Sequence, residues 1–401
     1  MPYVPFEARQ PVELQRRLSL SEYYHAAIGQ HPQSALPARE IVFILEGQGG
    51  LDLQALRQAV AHVAVVHPAC RLRLRGQGLR ACWRSDGQLP QVIDGGDSSW
   101  SADGDEGAPD FSLRPLEVRR GICAELVYYR LPQGHCRLMV RVAHAVSDGR
   151  GVLFWLADIF RVLRQEPPLG VNAVYPDSRL KHQRGGRPAP AGPAAQPLVP
   201  RRPGGASCWR SFQLPAPQAA LLARLAAALG RFCAGYRPGG VKLALAVDLR
   251  RHADDLRASH HLSGMLHLRV DPDDTPTQIR ARIEQALQQG QEAVWRPWHE
   301  LFRCLPMALI DGLLSPRRDR QTPPPLLETV VVSNLGRIDP RLYACEGFQA
   351  HRLSGIPVPG NAFIFLFGFG EQVEVVCGLP ADMAWAMSAW MADLQAALLQ
   401  A

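Results

Sequence analysis

The sequence contains no run of about 18 consecutive apolar residues, the length that a membrane-spanning helix requires. Its first residues, MPYVPFEARQPVELQRR, also lack an apolar stretch behind a basic start, so no secretory signal is predicted. The nine cysteines are odd in number, lie far apart and form no Cys-x-x-Cys pair. This pattern argues against a disulfide framework and against a zinc site, and it favours a reducing cytoplasm.

The basic residues are not concentrated either, although the formal net charge is +7. Arg201 and Arg202 form one short cluster and residues 317–320 form another, and few aromatic residues lie between them. Proteins that bind single-stranded nucleic acid need such aromatics for stacking, so nucleic-acid binding is not predicted. The mild basic excess fits an anionic partner, and it fits an ordinary solvated surface equally well.

The 401 residues are 47% hydrophobic and 20% charged, which is the composition of a folded globular chain. A stretch dense in Pro, Gly and Arg, residues 175–203, predicts an extended linker. We therefore predict an N-terminal subdomain over residues 1–174, a linker or crossover over 175–206 and a C-terminal subdomain over 207–401. A second stretch rich in breakers, residues 315–325, predicts a surface loop.

Strands and helices are mixed in both halves, which predicts an α/β fold with two similar layers. In the first half, apolar patterns predict strands at residues 40–45, 121–130 and 135–143, and helices at 53–66 and 152–163. Pro132 and Gly134 predict a hairpin turn between the last two strands. In the second half, the predicted helices are residues 218–229, ending at Gly230, 279–295 and 381–399. The predicted strands there are residues 241–247, 329–333, 363–367 and 372–377.

One histidine follows directly on a predicted apolar strand. Residues 138–143 lead to His144, and Asp148-Gly149 then predicts a turn before a helix. A sheet holds such a histidine rigidly while its ring faces a cleft, and a pKa near 6.5 suits a general base at neutral pH. The spacing His-x-x-x-Asp is common by itself, however, and a histidine at a strand end is more often satisfied and inert.

The run H-A-V-S-D-G at residues 144–149 resembles the His-x-x-x-Asp-Gly motif of the chloramphenicol acetyltransferase-like superfamily. That group includes nonribosomal peptide condensation domains, plant BAHD acyltransferases, alcohol acetyltransferases and polyketide-associated acyltransferases. Weaker landmarks follow in the family's order across nearly the whole chain. They are R-L-S-L-S-E-Y-Y (residues 17–24), L-D-L-Q-A-L-R-Q-A-V (51–60), His67-Pro68, R-L-R-L (71–74), V-D-L-R-R-H (247–252) and V-V-V-S-N-L-G-R-I-D (330–339).

The resemblance implies two similar subdomains, with mixed sheets flanked by helices, around a central channel. It implies that His144 takes the proton from an acceptor hydroxyl or amine as the acceptor attacks a thioester. Asp148 would then be structural and pair with Arg250; taken alone, Arg250 would be a surface arginine. Ser333 and Asn334 would line the channel and stabilise an oxyanion, or they would simply end a strand.

Gly149 has two interpretations of its own: it lets the backbone approach the substrate, or it makes a tight turn. The resemblance also has departures. Ala143 stands where peptide-forming condensation domains usually carry a second histidine, which favours a stand-alone acyltransferase. The D-F-G-W-G run of plant enzymes is absent, and residues 229–240 are about one helix shorter than in relatives.

The resemblance therefore implies transfer of an acyl group from a CoA or acyl-carrier-protein thioester to a small-molecule alcohol or amine. The expected pathway is secondary-metabolite or lipid biosynthesis. No metal and no tightly bound cofactor are implied, because the thioester supplies the activation and His144 the proton transfer. The alternatives are an amide-forming condensation enzyme and a non-catalytic relative that binds an acyl chain or a carrier protein.

Overall fold

The computed structural model describes residues 13–30, 34, 36, 38–110, 114–188, 194–216, 218–315, 326–357 and 360–399. Within these ranges, no helix is long and apolar enough to cross a membrane. The basic cluster at residues 317–320 lies outside the described residues, as does most of the predicted surface loop at 315–325.

The described strands are β1 (Gln15–Arg17), β2 (Glu40–Gly49), β3 (Arg73–Arg75), β4 (Cys82–Arg84), β5 (Gln91–Asp97), β6 (Ala124–Leu131), β7 (His135–Ala143), β8 (Cys208–Pro215), β9 (Val241–Asp248), β10 (Ser263–Val270), β11 (Val330–Ile338), β12 (Ala344–Cys345), β13 (Phe348–Ile356), β14 (Ala362–Phe369) and β15 (Gln372–Leu379). The α-helices are α1 (Leu20–Ala27), α2 (Leu53–Val66), α3 (Gly149–Leu163), α4 (Asp177–Arg184), α5 (Leu221–Ala234), α6 (Pro276–Gln288), α7 (Met307–Leu314) and α8 (Met387–Leu399). Short 3-10 helices join several of them, at Pro68–Arg71, Gly78–Arg80, Pro132–Gly134, Leu249–His252, Gln291–Ala293, Pro297–Cys304, Pro340–Tyr343 and Ala384–Ala386.

Two six-stranded sheets form the centre of the molecule. The first has the order β12-β13-β2-β7-β6-β5, and the second has the order β10-β9-β11-β14-β15-β8. Both are mixed, because β5 runs parallel to β6 in the first, and β11 runs parallel to β9 and β14 in the second. Helices α2 and α3 pack with the first sheet, and α5, α6 and α8 pack with the second. The predicted α/β fold with two mixed sheets flanked by helices is confirmed.

The division of the strands between the two sheets does not follow the predicted boundary between the two halves of the chain. Strand β13 belongs to the C-terminal half, yet it pairs with β2 in the first sheet, with Leu353 opposite Leu45. The first hydrophobic core likewise contains Phe43 from β2 together with Phe365 and Phe367 from β14. Phe43 meets both rings edge-on, with centroids 6.3 and 5.4 Å away. The two sheets are therefore packed directly against each other.

The predicted linker contains a helix, α4, although its composition favours an extended chain. Tertiary contacts explain this difference. Asp177, at the start of α4, accepts a hydrogen bond from Ser21 in α1 at 2.7 Å and pairs with Lys181 one turn later at 2.6 Å. The Leu180 side chain is buried beside Leu249 and Leu262. The partners that fix this helix are distant in sequence, so local composition could not reveal them.

The prediction that Gly230 ends a helix is wrong, because α5 continues through this residue to Ala234. A Cβ atom at position 230 would lie 3.1 Å from the Asp271 carbonyl oxygen and 3.2 Å from a Val270 methyl group. Glycine at this position therefore lets α5 pack closely against the end of β10. Two other predicted helices are shorter than expected: α6 ends at Gln288, and α8 begins at Met387 after a 3-10 turn.

Candidate active site

His144 follows the last residue of β7, where the sheet fixes its backbone. Its N–H donates to the carbonyl oxygen of Arg39 at 2.9 Å, one step beyond the β2–β7 pair Glu40–Ala143. The ring is fixed by a second contact, since Nδ1 lies 3.1 Å from the carbonyl oxygen of Ser147. A carbonyl oxygen only accepts, so Nδ1 carries the proton and Nε2 carries the free lone pair.

A cavity of about 900 Å³ lies between the two sheets and includes His144 in its wall. Strand β2 contributes Ile41, and strands β9, β10, β11 and β14 contribute residues from the other sheet. All six residues that the sequence singled out line this cavity: His144, Asp148, Gly149, Arg250, Ser333 and Asn334. The structure therefore brings together predicted residues from three separate parts of the chain, 144–149, 250 and 333–334.

Asp148 holds three segments together behind His144. Its Oδ1 atom accepts from the backbone N–H of Gly151 at 2.8 Å and so caps helix α3. Its Oδ2 atom accepts from the N–H of Leu262 at 2.6 Å, just before β10. Both oxygens also accept from Arg250, each at 3.1 Å. Burial alone would raise the pKa of Asp148, but the Arg250 charge and these hydrogen bonds lower it to about 2.

Arg250 is equally well satisfied, because each of its five N–H groups has an acceptor. Besides Asp148, the guanidinium donates to Asp248 at 2.7 Å and to the carbonyl oxygens of Ala258 and His260 at 3.0 and 2.7 Å. Its side chain is only 4% exposed. The pair thus ties the start of α3, next to His144, to the loop that leads into β10.

Packing requires glycine at two positions at the start of α3, Gly149 at the end of the motif and Gly151 just after it. A Cβ atom at Gly149 would lie 2.9 Å from a Leu335 methyl carbon and 3.3 Å from the Phe43 ring. At Gly151 it would lie 2.5 Å from the carbonyl oxygen of Ser259. Both glycines therefore allow α3 to approach the second half of the chain closely, and Gly149 also forms part of the cavity wall.

Ser333 and Asn334 lie on β11, next to an irregularity in its pairing with β14. Ser333 is half-buried in the cavity wall. Asn334 is exposed, and its Oδ1 atom accepts from the backbone N–H of Gly336 at 2.9 Å. This bond bridges the irregularity in β11, and the strand does not end at Asn334, because it continues to Ile338.

Two further histidines, neither of them assigned to the site from the sequence, lie against His144. The His25 ring, from α1, stacks on the His144 ring with centroids 4.0 Å apart and an angle of 20° between the planes. The His261 ring lies 5.0 Å from His25 and 5.5 Å from His144. The sequence contained only a weak signal, the pair His260-His261, and no motif marks His25.

The environment keeps His144 and His25 neutral at ordinary pH. Burial, together with the charges of His261 and Arg39, lowers the pKa of His144 to about 4. Burial holds the pKa of His25 well below its usual range, and neighbouring groups lower it further, including His144, His261, Arg39 and Lys181. A neutral imidazole is the form that can accept a proton.

The rings of His25, His144 and His261 are also candidate ligands for a metal ion. One nitrogen from each of His25, His144 and His261 lies within 4.8 Å of the other two, close enough for three ligands to converge on an ion after a small movement. The charges of Arg39 and Lys181, however, both act on His25 and repel a cation. Geometry therefore permits a metal ion at these rings, and electrostatics opposes one.

No family model and no curated protein matches the sequence, whereas solved structures match nearly all of it. One is a mutant starter condensation domain of rhizomide synthetase RzmA in complex with C8-CoA and Leu-SNAC. It is 15% identical, with a TM-score of 0.64, over 96% of this chain and 95% of that chain. The condensation domain of the Monacolin K polyketide synthase MokA is 12% identical, with a TM-score of 0.63, over 98% of both chains.

The epimerization domain from the third module of tyrocidine synthetase B is also 12% identical, with a TM-score of 0.60, over 98% of both chains. At these identities the likeness concerns the fold. The nearly complete coverage agrees with the resemblance that the sequence landmarks gave. The chain has the chloramphenicol acetyltransferase-like fold that these condensation and epimerization domains share.

Proposed function

We propose that the protein transfers an acyl group from a CoA or carrier-protein thioester to a hydroxyl or amine, with His144 as the general base. The observation that carries this proposal is the state of the His144 ring. Its Nδ1 is held by the Ser147 carbonyl oxygen, so its Nε2 lone pair is free in a residue that lines the cavity between the sheets.

In the proposed reaction, the acceptor's oxygen or nitrogen attacks the thioester carbonyl carbon while its proton passes to Nε2 of His144. A tetrahedral oxyanion forms, and Ser333 is the described side chain that we assign to stabilise it by donating a hydrogen bond. The oxyanion then collapses, the carbon–sulfur bond breaks, and the thiolate takes the proton back from His144. The thioester supplies the activation, so no metal or tightly bound cofactor enters this sequence.

The lowered pKa of His144 affects the two proton transfers in opposite ways. A base with a pKa of about 4 pulls weakly on the acceptor proton, so attack depends on close positioning of the acceptor. The imidazolium that results is a correspondingly strong acid, and it returns its proton readily to the departing thiolate.

The neighbours support a thioester donor, because a starter condensation domain with this fold was crystallised with C8-CoA and Leu-SNAC. They also favour a second candidate, amide-forming condensation in secondary metabolism, since two of the three similar structures above are condensation domains. Ala143, where those domains usually have a second histidine, favours the stand-alone transfer reaction. The two candidates share the role of His144 and differ in the acceptor.

The test is transfer from a panel of acyl-CoA and acyl-carrier-protein donors to alcohol and amine acceptors. His144→Ala should lower the rate by about 10²–10⁴-fold, the usual contribution of a general base. His351→Ala is the matched control, because His351 lies on β13 and pairs with His135 outside the cavity wall. Full activity of His144→Ala would refute the base assignment. Binding of an acyl-carrier protein without turnover of any donor would favour a non-catalytic relative.

A further inference from the structure

Arg39 stands next to the proposed base in space. It precedes β2, its carbonyl oxygen accepts the His144 N–H, and its side chain is half-buried in the cavity wall. The guanidinium lies over the ring of Tyr24, 4.9 Å from its centroid. This cation–π contact gives the N–H groups of Arg39 no carboxylate partner.

The Arg39 guanidinium has no hydrogen bond or ion pair with any residue that the structure describes, and its Nε atom is buried. Other buried arginines in the chain differ in this respect. Arg250 uses all five N–H groups, and Arg137 pairs with Glu46 at 2.5 Å. The buried Nε–H of Arg39 has lost water and gained no acceptor in exchange, which is unfavourable.

The nearby acids do not fill this role. Glu328 lines the same cavity and is close enough for Arg39 to act on its charge, but the pair is not within ion-pair distance. Glu328 instead accepts from the amide of Asn361 at 3.2 Å, and burial raises its pKa. Asp148 and Asp177 are already paired with Arg250 and Lys181. Arg39 therefore keeps a positive charge in the cavity wall without an ion-pair partner among the described residues.

We infer that Arg39 binds a carboxylate carried by the substrate close to the reacting group. A guanidinium edge presents two parallel N–H groups, which match the two oxygens of a carboxylate. Phosphates are a poorer fit at this depth, because in CoA and phosphopantetheine they stand at the far end of the pantetheine arm from the thioester. This inference rests on the proposed function, and it narrows the substrates to acids such as amino or hydroxy acids, or to donors with a dicarboxylic acyl group.

Binding can be tested without turnover. Calorimetry should show that N-octanoyl amino acids bind at least about tenfold more tightly than their carboxamides, the usual value of a charge-assisted hydrogen bond. Arg39→Gln should abolish this preference for carboxylates. Arg39→Lys, which keeps the positive charge, should retain part of it. Arg150→Gln is the control within the cavity. Arg150 already donates to the Leu335 carbonyl oxygen at 2.9 Å, so its replacement should leave the preference for carboxylates intact. Thermal unfolding checks that each variant is folded.

A second pair of ligands identifies which substrate carries the carboxylate. If the acyl donor carries it, succinyl-CoA should bind more tightly than butyryl-CoA, and Arg39→Gln should again remove the difference. Equal binding within both pairs of ligands, including no binding at all, would overturn the inference. So would a preference for carboxylates that survives in Arg39→Gln. Neither result affects the proposed function, which the transfer rate of His144→Ala tests separately.

Discussion

Asp148 and Arg250 form a two-point ion pair, 3.1 Å at each contact, that connects the two halves of the chain behind His144. Asp148 also caps α3 and accepts from Leu262, and Arg250 also holds the carbonyl oxygens of Ala258 and His260. The segment that these bonds fix includes His261. The ion pair therefore positions two of the three clustered histidines.

Removal of one partner from this pair should destabilise the protein strongly. Asp148→Asn would remove the buried counterion of Arg250 and leave only the partly exposed Asp248 beside its charge, so we expect unfolding in urea to show a loss of about 3–5 kcal/mol. The transfer rate should fall as well, because the turn after His144 loses its anchor. Glu284→Gln is the control, since Glu284 and Arg280 form an exposed pair on α6 at 2.8 Å. If both variants lose equally little stability, the pair does not hold the halves together.

The pH dependence of kcat/KM should reveal the environment of His144. Its neutral form is active, and its pKa is lowered to about 4 by burial first and then by His261 and Arg39. Activity should therefore persist as the pH falls below 6.5 and decline only towards pH 4. His261→Asn removes one of these causes and should move the decline to higher pH. A decline centred near pH 6.5 in the wild type would contradict the buried, neutral state of His144.

Unfolding must be followed over the same pH range as a control. Because the folded chain keeps His144 and His25 neutral, the unfolded chain binds more protons below pH 6.5. The free energy of unfolding should consequently fall between pH 6.5 and pH 4, and this cost is absent above pH 6.5. Circular dichroism distinguishes loss of activity by protonation from loss by unfolding.

Local sequence patterns predict the elements whose ends are set by residues close to them in the sequence. The helix at Leu53–Val66 and the strand at His135–Ala143 were predicted to the residue, because apolar spacing and the Pro132–Gly134 turn define them. His144, Asp148 and Arg250 required the resemblance as well, since only the order of motifs along the chain indicated that Arg250 would meet Asp148.

Contacts between distant segments could not be predicted in this way. Strand β13 alternates polar and apolar residues and pairs with β2, which lies about 300 residues earlier in the chain. His25 and His261 join His144 only because α1 and the loop before β10 meet at the cavity. No sequence motif marks Arg39. The role that we propose for it follows from its lack of an ion-pair partner among the described residues, which only the three-dimensional structure reveals.

Ser333 and Asn334 should differ in mutational effect even though they are adjacent. Ser333 is half-buried in the cavity wall, so Ser333→Ala should lower kcat by about 10²-fold if its hydroxyl donates to the oxyanion. Asn334 is exposed and its side-chain oxygen accepts from the backbone N–H of Gly336, so Asn334→Ala should leave kcat nearly unchanged. KM should change little in both variants. Equal effects of the two substitutions on kcat would indicate that Ser333 only supports the structure of β11.

Treatment with a chelator such as EDTA should leave the transfer rate unchanged. A metal ion held by the three rings would need a nitrogen from His144, and Nδ1 is engaged with Ser147, so the ion would occupy Nε2. That is the lone pair on which the proposed proton transfer depends. Added zinc that binds there should therefore inhibit the enzyme, and His25→Asn should weaken the inhibition by removing one ligand. Loss of activity in EDTA, with recovery on addition of zinc, would instead make the three histidines a metal centre and replace the free-base mechanism.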